Sequence, residues 1–326
     1  MLYILMERRT LVKSGASSFT VAIPIAWVRR NALEKGSEIA IEENELGNLV
    51  LRVPQSGDRP FLPQAQCTIK VDKDTRDLLY WELVRAYLHN YTTINLEGDS
   101  VAHDSAQTIQ RLNSFIGLDV IEQTKKFIVL KNFSAYDTES SPYSLLKKLD
   151  VGVRAMISGF EPFFARGFNQ DDVLEMSSQH QYNERVYLFT LKLLNAIVDT
   201  PSLMRVFKTD YRQIIREHAM VGALHQISIH LSEIGEILLA VEHTRKQGEF
   251  IKEIFGELSK KYRVVFTMPR SPMSKELLEF LRDSDEMASQ WQSRLKELRS
   301  PTLMEFVIHA MSVNSILDQL ALEVIN

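Results

Sequence analysis

The sequence is very poor in cysteine. Cys67 is the only cysteine among 326 residues, which excludes an intramolecular disulfide and a cysteine-rich zinc site. So few thiols are typical of a reducing compartment, and we therefore expect the protein to be cytoplasmic. The sequence also contains no apolar run near the roughly 18–20 residues that a membrane-spanning helix needs. We therefore expect no membrane insertion.

The chain also has little net charge. Its formal charge is −4, which excludes a polycation that binds nucleic acid along its whole length. The charge is unevenly placed, because residues 1–36 carry six basic and two acidic side chains and are +4, whereas the other 290 residues are −8. This asymmetry indicates a local anionic partner for a chain that otherwise repels anions.

Sequence motifs for catalysis are missing. Residues 97–100 contain one glycine and no lysine, so they are not a phosphate-binding loop. No nucleophile–base pairing and no paired-carboxylate cleft occurs at a readable spacing. We therefore predict that the protein is not an enzyme and assign no catalytic residue, although a site assembled from distant residues stays open.

Residues 1–53 have the pattern of a small β-rich domain. A short strand over Thr10–Val12, a turn and a second strand over Phe19–Ile23 precede a helix that begins at Pro24. Two further strands are predicted over Glu38–Glu42 and Asn48–Val53. Because so short a segment buries little apolar surface, we expect it to dimerise by interleaving its hairpins.

Prolines separate this segment from the rest of the chain. Residues 54–63 contain three prolines and one glycine, which predicts a linker. Residues 64–140 then alternate between strand and helix patterns, which predicts a small α/β domain that is either a spacer or a ligand-sensing domain. Its predicted elements are a strand over Cys67–Val71, a helix over Thr75–His89, a strand over Thr92–Leu96, a helix over Ala102–Ile116, and strands over Asp119–Glu122 and Phe127–Leu130.

Residues 141–326 have an entirely helical pattern. In the third helix Leu224, Ile227, Leu231 and Ile234 recur at spacings of three and four, as in a helix packed against two neighbours. Six helices joined by short loops predict two antiparallel three-helix bundles in tandem. The predicted helices are Ser141–Arg166, Gln170–Asp199, Asp210–Lys246, Glu249–Tyr262, Ser274–Leu298 and Thr302–Ile325.

The amino-terminal pattern resembles a known family. An Arg8-Arg9 pair, two strands around a glycine turn, Pro24-Ile-x-x-x-Arg-Arg and Leu33-x-x-Gly-x-x-Ile-x-Ile are similar to the swapped-hairpin DNA-binding domain of the AbrB/SpoVT type. That family usually has glycine before the leucine, where this chain has Asn31-Ala-Leu, and we expect Asn31 to supply the left-handed conformation. The resemblance implies an intertwined homodimer that contacts DNA through its basic residues. These are Arg8, Arg9, Lys13, Arg29 and Arg30.

Arginine and lysine neutralise phosphates, and arginine can also bind guanine through two hydrogen bonds, so this cluster suits DNA. The alternative is a solvated basic face on a small domain.

The helical segment resembles a second family. The stretches Glu184–Phe189, Leu231–Glu236 and Ile316–Asn326 are similar to the PhoU family of phosphate-uptake regulators, and the domain order resembles that of archaeal phosphate-uptake regulators. The implied fold is multidomain, with a small β-rich swapped-hairpin domain, a small α/β domain and all-α PhoU-like tandem three-helix bundles. The implied function is a DNA-binding transcriptional regulator of phosphate uptake whose helical domain senses or relays phosphate status. The alternative is an interaction protein that docks on a phosphate transporter or sensor kinase without binding DNA.

The PhoU resemblance also implies a metal site. That family builds metal clusters from carboxylates four residues apart on a helix, and the corresponding pairs here each keep one carboxylate. The pairs are His180 and Glu184, Ser232 and Glu236, and Asn314 and Asp318. Candidate ligands for a divalent or transition metal are therefore His180, Glu184, His225, Glu236 and Asp318. A solvated helix face carrying two histidines is the alternative interpretation.

Overall fold

A computed structural model shows two compact units, residues 1–61 and residues 62–326. The structure describes residues 8–16, 18–43, 48–53, 66–72, 75–99, 101, 112–134, 140–241, 244–267, 275–298 and 300–325. The predicted linker over residues 54–63 lies outside these ranges.

The first unit contains two hairpins and one short helix. Strands β1 (Val12–Lys13) and β2 (Phe19–Thr20) pair antiparallel, with Val12 opposite Thr20. Gly15 lies between them at a φ of 101°, which glycine adopts without steric cost. Helix α1 (Ile25–Arg30) follows Pro24, and the antiparallel strands β3 (Ala40–Glu43) and β4 (Leu49–Arg52) complete the unit. The prediction of a small β-rich unit is confirmed.

The turn after α1 differs from the expectation. Asn31 has a φ of −96°, so the prediction that it takes the left-handed conformation is wrong. Ala32 takes that conformation instead, at a φ of 51°. Asn31 is held in place because its side-chain amide donates to the carbonyl oxygen of Trp27 at 2.8 Å, and the bend therefore falls one residue later.

The second unit begins with a four-stranded sheet. Its strands are β5 (Gln66–Lys70), β6 (Thr93–Glu97), β7 (Leu118–Gln123) and β8 (Phe127–Asn132), in the order β5-β6-β8-β7. Strands β5 and β6 are parallel, and helix α2 (Leu79–Leu88), preceded by a 3-10 turn, connects them. The α/β pattern of this segment is confirmed. Its second predicted helix, over 102–116, lies largely outside the described residues.

The rest of the second unit is helical, as predicted. The helices are α3 (Pro142–Ser158), α4 (Glu161–Arg166), α5 (Gln170–Asp199), α6 (Pro201–Phe207), α7 (Tyr211–Leu239), α8 (Arg245–Thr267), α9 (Lys275–Leu298) and α10 (Pro301–Ile325). Helices α3, α5 and α7 pack on one another and form the first helical set, and α8, α9 and α10 form the second. The two sets meet where α7 packs against α10.

The helix boundaries differ from the sequence prediction in several places. Helix α6 lies over residues 201–207, where a break between helices was predicted, and α8 continues past the predicted end at Tyr262 to Thr267. The first predicted helix is broken after Ser158, and α4 starts afresh with proline in its first turn, because proline lacks the N–H that a continuous helix requires. The third predicted helix ends at Leu239, and α8 then runs through Gly248. A glycine costs an exposed helix only about 1 kcal/mol, and the ion pair between Arg245 and Glu249 supports this turn.

The sheet and the helices share one core. Tyr80 donates to Glu184 at 2.6 Å, and the side chain of Asn195 donates to the carbonyl oxygen of Leu88 at 3.2 Å. Lys192 is fully buried and donates to Asn132 of β8 at 2.9 Å. The boundary predicted at residue 140 therefore separates an α/β part and an all-α part of a single compact unit. Among the described helices, none is both long enough and apolar enough to cross a bilayer.

Candidate functional site

The five basic residues predicted to contact DNA are all exposed in the first unit. Arg8 and Arg9 precede β1, and Lys13 lies in β1. Arg29 and Arg30 form the last turn of α1, where positive charge is favourable beside the carbonyl ends of a helix. The structure therefore leaves these cations accessible to an anionic partner.

The same unit exposes much apolar surface. None of its described residues is buried in the single chain. Seven of its large apolar side chains are instead between 50% and 69% exposed. They are Leu11, Val12, Phe19, Val21, Ile25, Ile41 and Leu49. Soluble monomers seldom leave so many large apolar side chains of one small unit exposed, because covering apolar surface stabilises a protein by about 25 cal/mol per Å². A surface that covered these side chains would therefore stabilise the unit.

Two of the predicted metal ligands meet between α5 and α7. The rings of His180 and His225 stack with centroids 6.0 Å apart, and the ring of Tyr187 also stacks on His225, with centroids 4.0 Å apart. His180 Nδ1 lies 3.0 Å from the hydroxyl of Ser228. Burial lowers the pKa of His180, and burial followed by the neighbouring His180 lowers the pKa of His225 to about 4. Both imidazoles are therefore neutral near pH 7.

The other three predicted ligands contact different groups. Glu184 accepts the hydrogen bond from Tyr80, and Glu236 is exposed on α7. Asp318 lies in the second helical set, where its Oδ1 is 2.5 Å from the buried ammonium of Lys261 and its Oδ2 accepts from Ser284 at 2.6 Å. The structure therefore brings His180 and His225 together and does not gather all five residues around one point.

A different cluster lies between α7 and α10. His230 and Glu233 project from α7, and His309 projects from α10. The Nδ1 atoms of the two histidines are 3.0 Å apart, and Glu233 Oε2 lies 2.9 Å from His309 Nδ1 and 3.5 Å from His230 Nδ1. His230 and Glu233 are three residues apart, and this spacing places two potential metal ligands on the same face of a helix. The sequence therefore showed this pair, although pairs four residues apart do not include it.

Comparisons with known proteins do not assign this chain to a family. Neither the family models, nor the curated proteins, nor the solved structures that were compared with the sequence give a match. Function therefore has to be inferred from the exposed basic residues, the uncovered apolar surface and the polar clusters.

Proposed function

We propose that the protein is a cytoplasmic DNA-binding transcriptional regulator of phosphate uptake that acts as a homodimer. The observation that carries the proposal is the combination, in one small unit, of five exposed cationic side chains with an uncovered apolar surface. The cations suit DNA phosphates, and the apolar side chains suit a second copy of the same unit.

Dimerisation follows from the short hairpins of this unit. Strands β1 and β2 contain two residues each, and an isolated two-stranded hairpin is marginally stable at best in water. Interleaving with a second copy extends the sheet and covers side chains such as Phe19 and Leu49. A two-fold dimer presents two copies of the basic face, so we expect it to recognise a roughly palindromic DNA site.

The distribution of charge along the chain supports DNA binding by this unit and not by the rest of the protein. Residues 1–36 carry +4, whereas the remaining residues carry −8 and repel a polyanion. The role of the helical part in sensing or relaying phosphate status rests on its PhoU-like sequence stretches. Two sets of three packed helices agree with that role in architecture.

A charge-removal experiment tests the proposal. The Arg29→Ala, Arg30→Ala variant should bind all DNA sequences more weakly, and the slope of log K against log salt should fall by about 2 per protomer, since each lost phosphate contact lowers it by about 1. The DNA is chosen by sequencing fragments that co-purify with the protein from cells grown with and without phosphate. Binding is measured by fluorescence anisotropy, and the dimer by sedimentation.

The matched control removes the same charge from the second unit. The Arg205→Ala, Arg212→Ala variant loses two exposed arginines and should keep both affinity and salt slope. Unchanged DNA affinity in the Arg29 and Arg30 variant would refute the assigned surface. Co-purification with a membrane transporter or kinase, without enrichment of DNA, would favour the interaction-protein alternative.

A further inference from the structure

The His230, Glu233 and His309 cluster has the composition of a transition-metal site. Two imidazoles and one carboxylate are ligands that Zn²⁺ and Fe²⁺ accept readily, whereas Mg²⁺ and Ca²⁺ favour all-oxygen sites. The ligand atoms of all three side chains lie within 4.8 Å of one another. We propose that these residues bind one divalent transition-metal ion between α7 and α10.

The spacing of the three atoms fits one ion. The triangle with sides of 2.9, 3.0 and 3.5 Å has a circumscribed circle with a radius of about 1.8 Å. Zn–N and Zn–O bonds are about 2.0–2.2 Å long. Because the bond length exceeds the radius, a point at bonding distance from all three atoms exists about 1 Å outside their plane. The three ligand atoms are therefore close enough together for one ion to bind all of them.

The surroundings leave room for further ligands. The side chains of His230 and His309 are 21% and 24% exposed, and that of Glu233 is 47% exposed. Three protein ligands with access to solvent leave coordination positions for water, as in catalytic rather than structural zinc sites. Burial, followed by the neighbouring His309, lowers the pKa of His230, and this favours the neutral imidazole that binds metal.

This site is separate from the one implied by the PhoU resemblance. None of the residues His180, Glu184, His225, Glu236 and Asp318 contributes a ligand to it. Because it joins α7 of the first helical set to α10 of the second, a bound ion stabilises the packing between the two sets. An ion that binds only the folded chain raises the unfolding free energy. This stabilisation grows with the affinity of the site for the ion and with the concentration of free ion.

Metal binding to the full-length protein tests the inference. The protein is freed of metal with a chelator and titrated with Co²⁺ as a spectroscopic probe and with Zn²⁺ by calorimetry, and metal content is measured by mass spectrometry. We expect one ion per chain and a rise in melting temperature. His309→Asn and His230→Asn should each weaken binding by at least the roughly 10–100-fold that loss of a supporting partner costs a metal site.

Two controls show whether a loss of metal binding is specific to these ligands and not due to unfolding. His218→Asn changes an exposed histidine of the same helix and should bind metal like the wild type, while circular dichroism confirms that each variant is folded. Absence of stoichiometric binding in the wild type would overturn the inference. So would binding that survives His309→Asn and is lost in His180→Asn. The DNA-binding proposal is unaffected by either result, because its readout does not involve metal.

Discussion

Asp318 forms an ion pair in the structure at a position where the sequence resemblance implies a metal ligand. The resemblance to PhoU makes it a metal ligand, whereas the structure pairs it with Lys261, whose side chain is only 1% exposed. Removal of one partner from a buried ion pair costs about 3–5 kcal/mol, because the other charge is left in the core. Asp318 is 26% exposed and Lys261 also donates to Asn314 at 2.6 Å. We therefore expect Asp318→Ala to cost about 3 kcal/mol, the lower end of that range.

Urea denaturation measures the change in unfolding free energy caused by Asp318→Ala in the second helical set. Trp291 of α9 is buried and donates to Glu257 of α8 at 2.6 Å, so its fluorescence reports on the packing of these helices. The other two tryptophans, Trp27 and Trp81, are replaced by phenylalanine in every protein compared. The change in unfolding free energy then refers to one probe in one part of the fold.

A double variant separates the ion pair from other effects. Lys261→Met combined with Asp318→Ala removes both charges and should lie within about 1 kcal/mol of the parent, since replacing a buried pair by apolar groups is often neutral. Equal destabilisation of the single and double variants would refute the assignment of the cost to an orphaned lysine. A cost that disappears after chelation would instead make Asp318 a metal ligand.

Two further predictions concern other buried groups. Gly152→Ala places a Cβ against the side-chain oxygen of the buried Asn183 and should cost about 1–3 kcal/mol, whereas Gly256→Ala, where the added atom meets no described neighbour, should stabilise α8 by about 0.5–1 kcal/mol. Urea denaturation compares them, and equal effects would contradict the packing. Burial holds the pKa of His225 at about 4. The unfolded chain therefore binds more protons at this site between about pH 6.5 and 4, and His225 alone should lower the unfolding free energy by about 2 kcal/mol from pH 7 to 5. His180 and His230, whose pKa values are also lowered, add to this fall. His225→Phe should therefore reduce the fall by about 2 kcal/mol, whereas His218→Ala should leave it unchanged; an equal fall in the parent and in His225→Phe would contradict the assignment.

Local patterns predicted most of the secondary structure. Leu224, Ile227, Leu231 and Ile234 are buried along one seam of α7, as their spacing predicts. Helix starts were predictable because capping is local: Asp210, for example, accepts a hydrogen bond from the backbone N–H of Gln213. Such contacts involve residues three or four apart, and the sequence displays them directly.

The polar sites depend on how helices are rotated and aligned, which hydrophobic periodicity does not fix. His230 meets His309 across 79 residues, and Glu184 meets Tyr80 across 104. A carboxylate spacing on one helix says nothing about the facing helix, so the contact between Asp318 and Lys261 was not predictable from the sequence. The bend at Ala32 has a local cause that residue preferences do not show, because Asn31 bonds to the carbonyl oxygen of Trp27 and the left-handed conformation falls on an alanine.

The buried polar contacts of the helical unit have a common consequence for its assembly. An apolar seam tolerates a shift of one helix along another, because one leucine can replace another, but a hydrogen-bonded group has only one suitable partner. Asn183 bonded to Ser228 at 3.0 Å aligns α5 with α7, and Lys261 aligns α8 with α10. His230 and His309 lie in the contact between α7 and α10, where the two helical sets meet. Since each set is aligned by its own buried groups, an ion bound by these histidines would act on the contact between the sets and not on the alignment within either set. A ligand-dependent change in this unit is therefore expected to occur at this contact first.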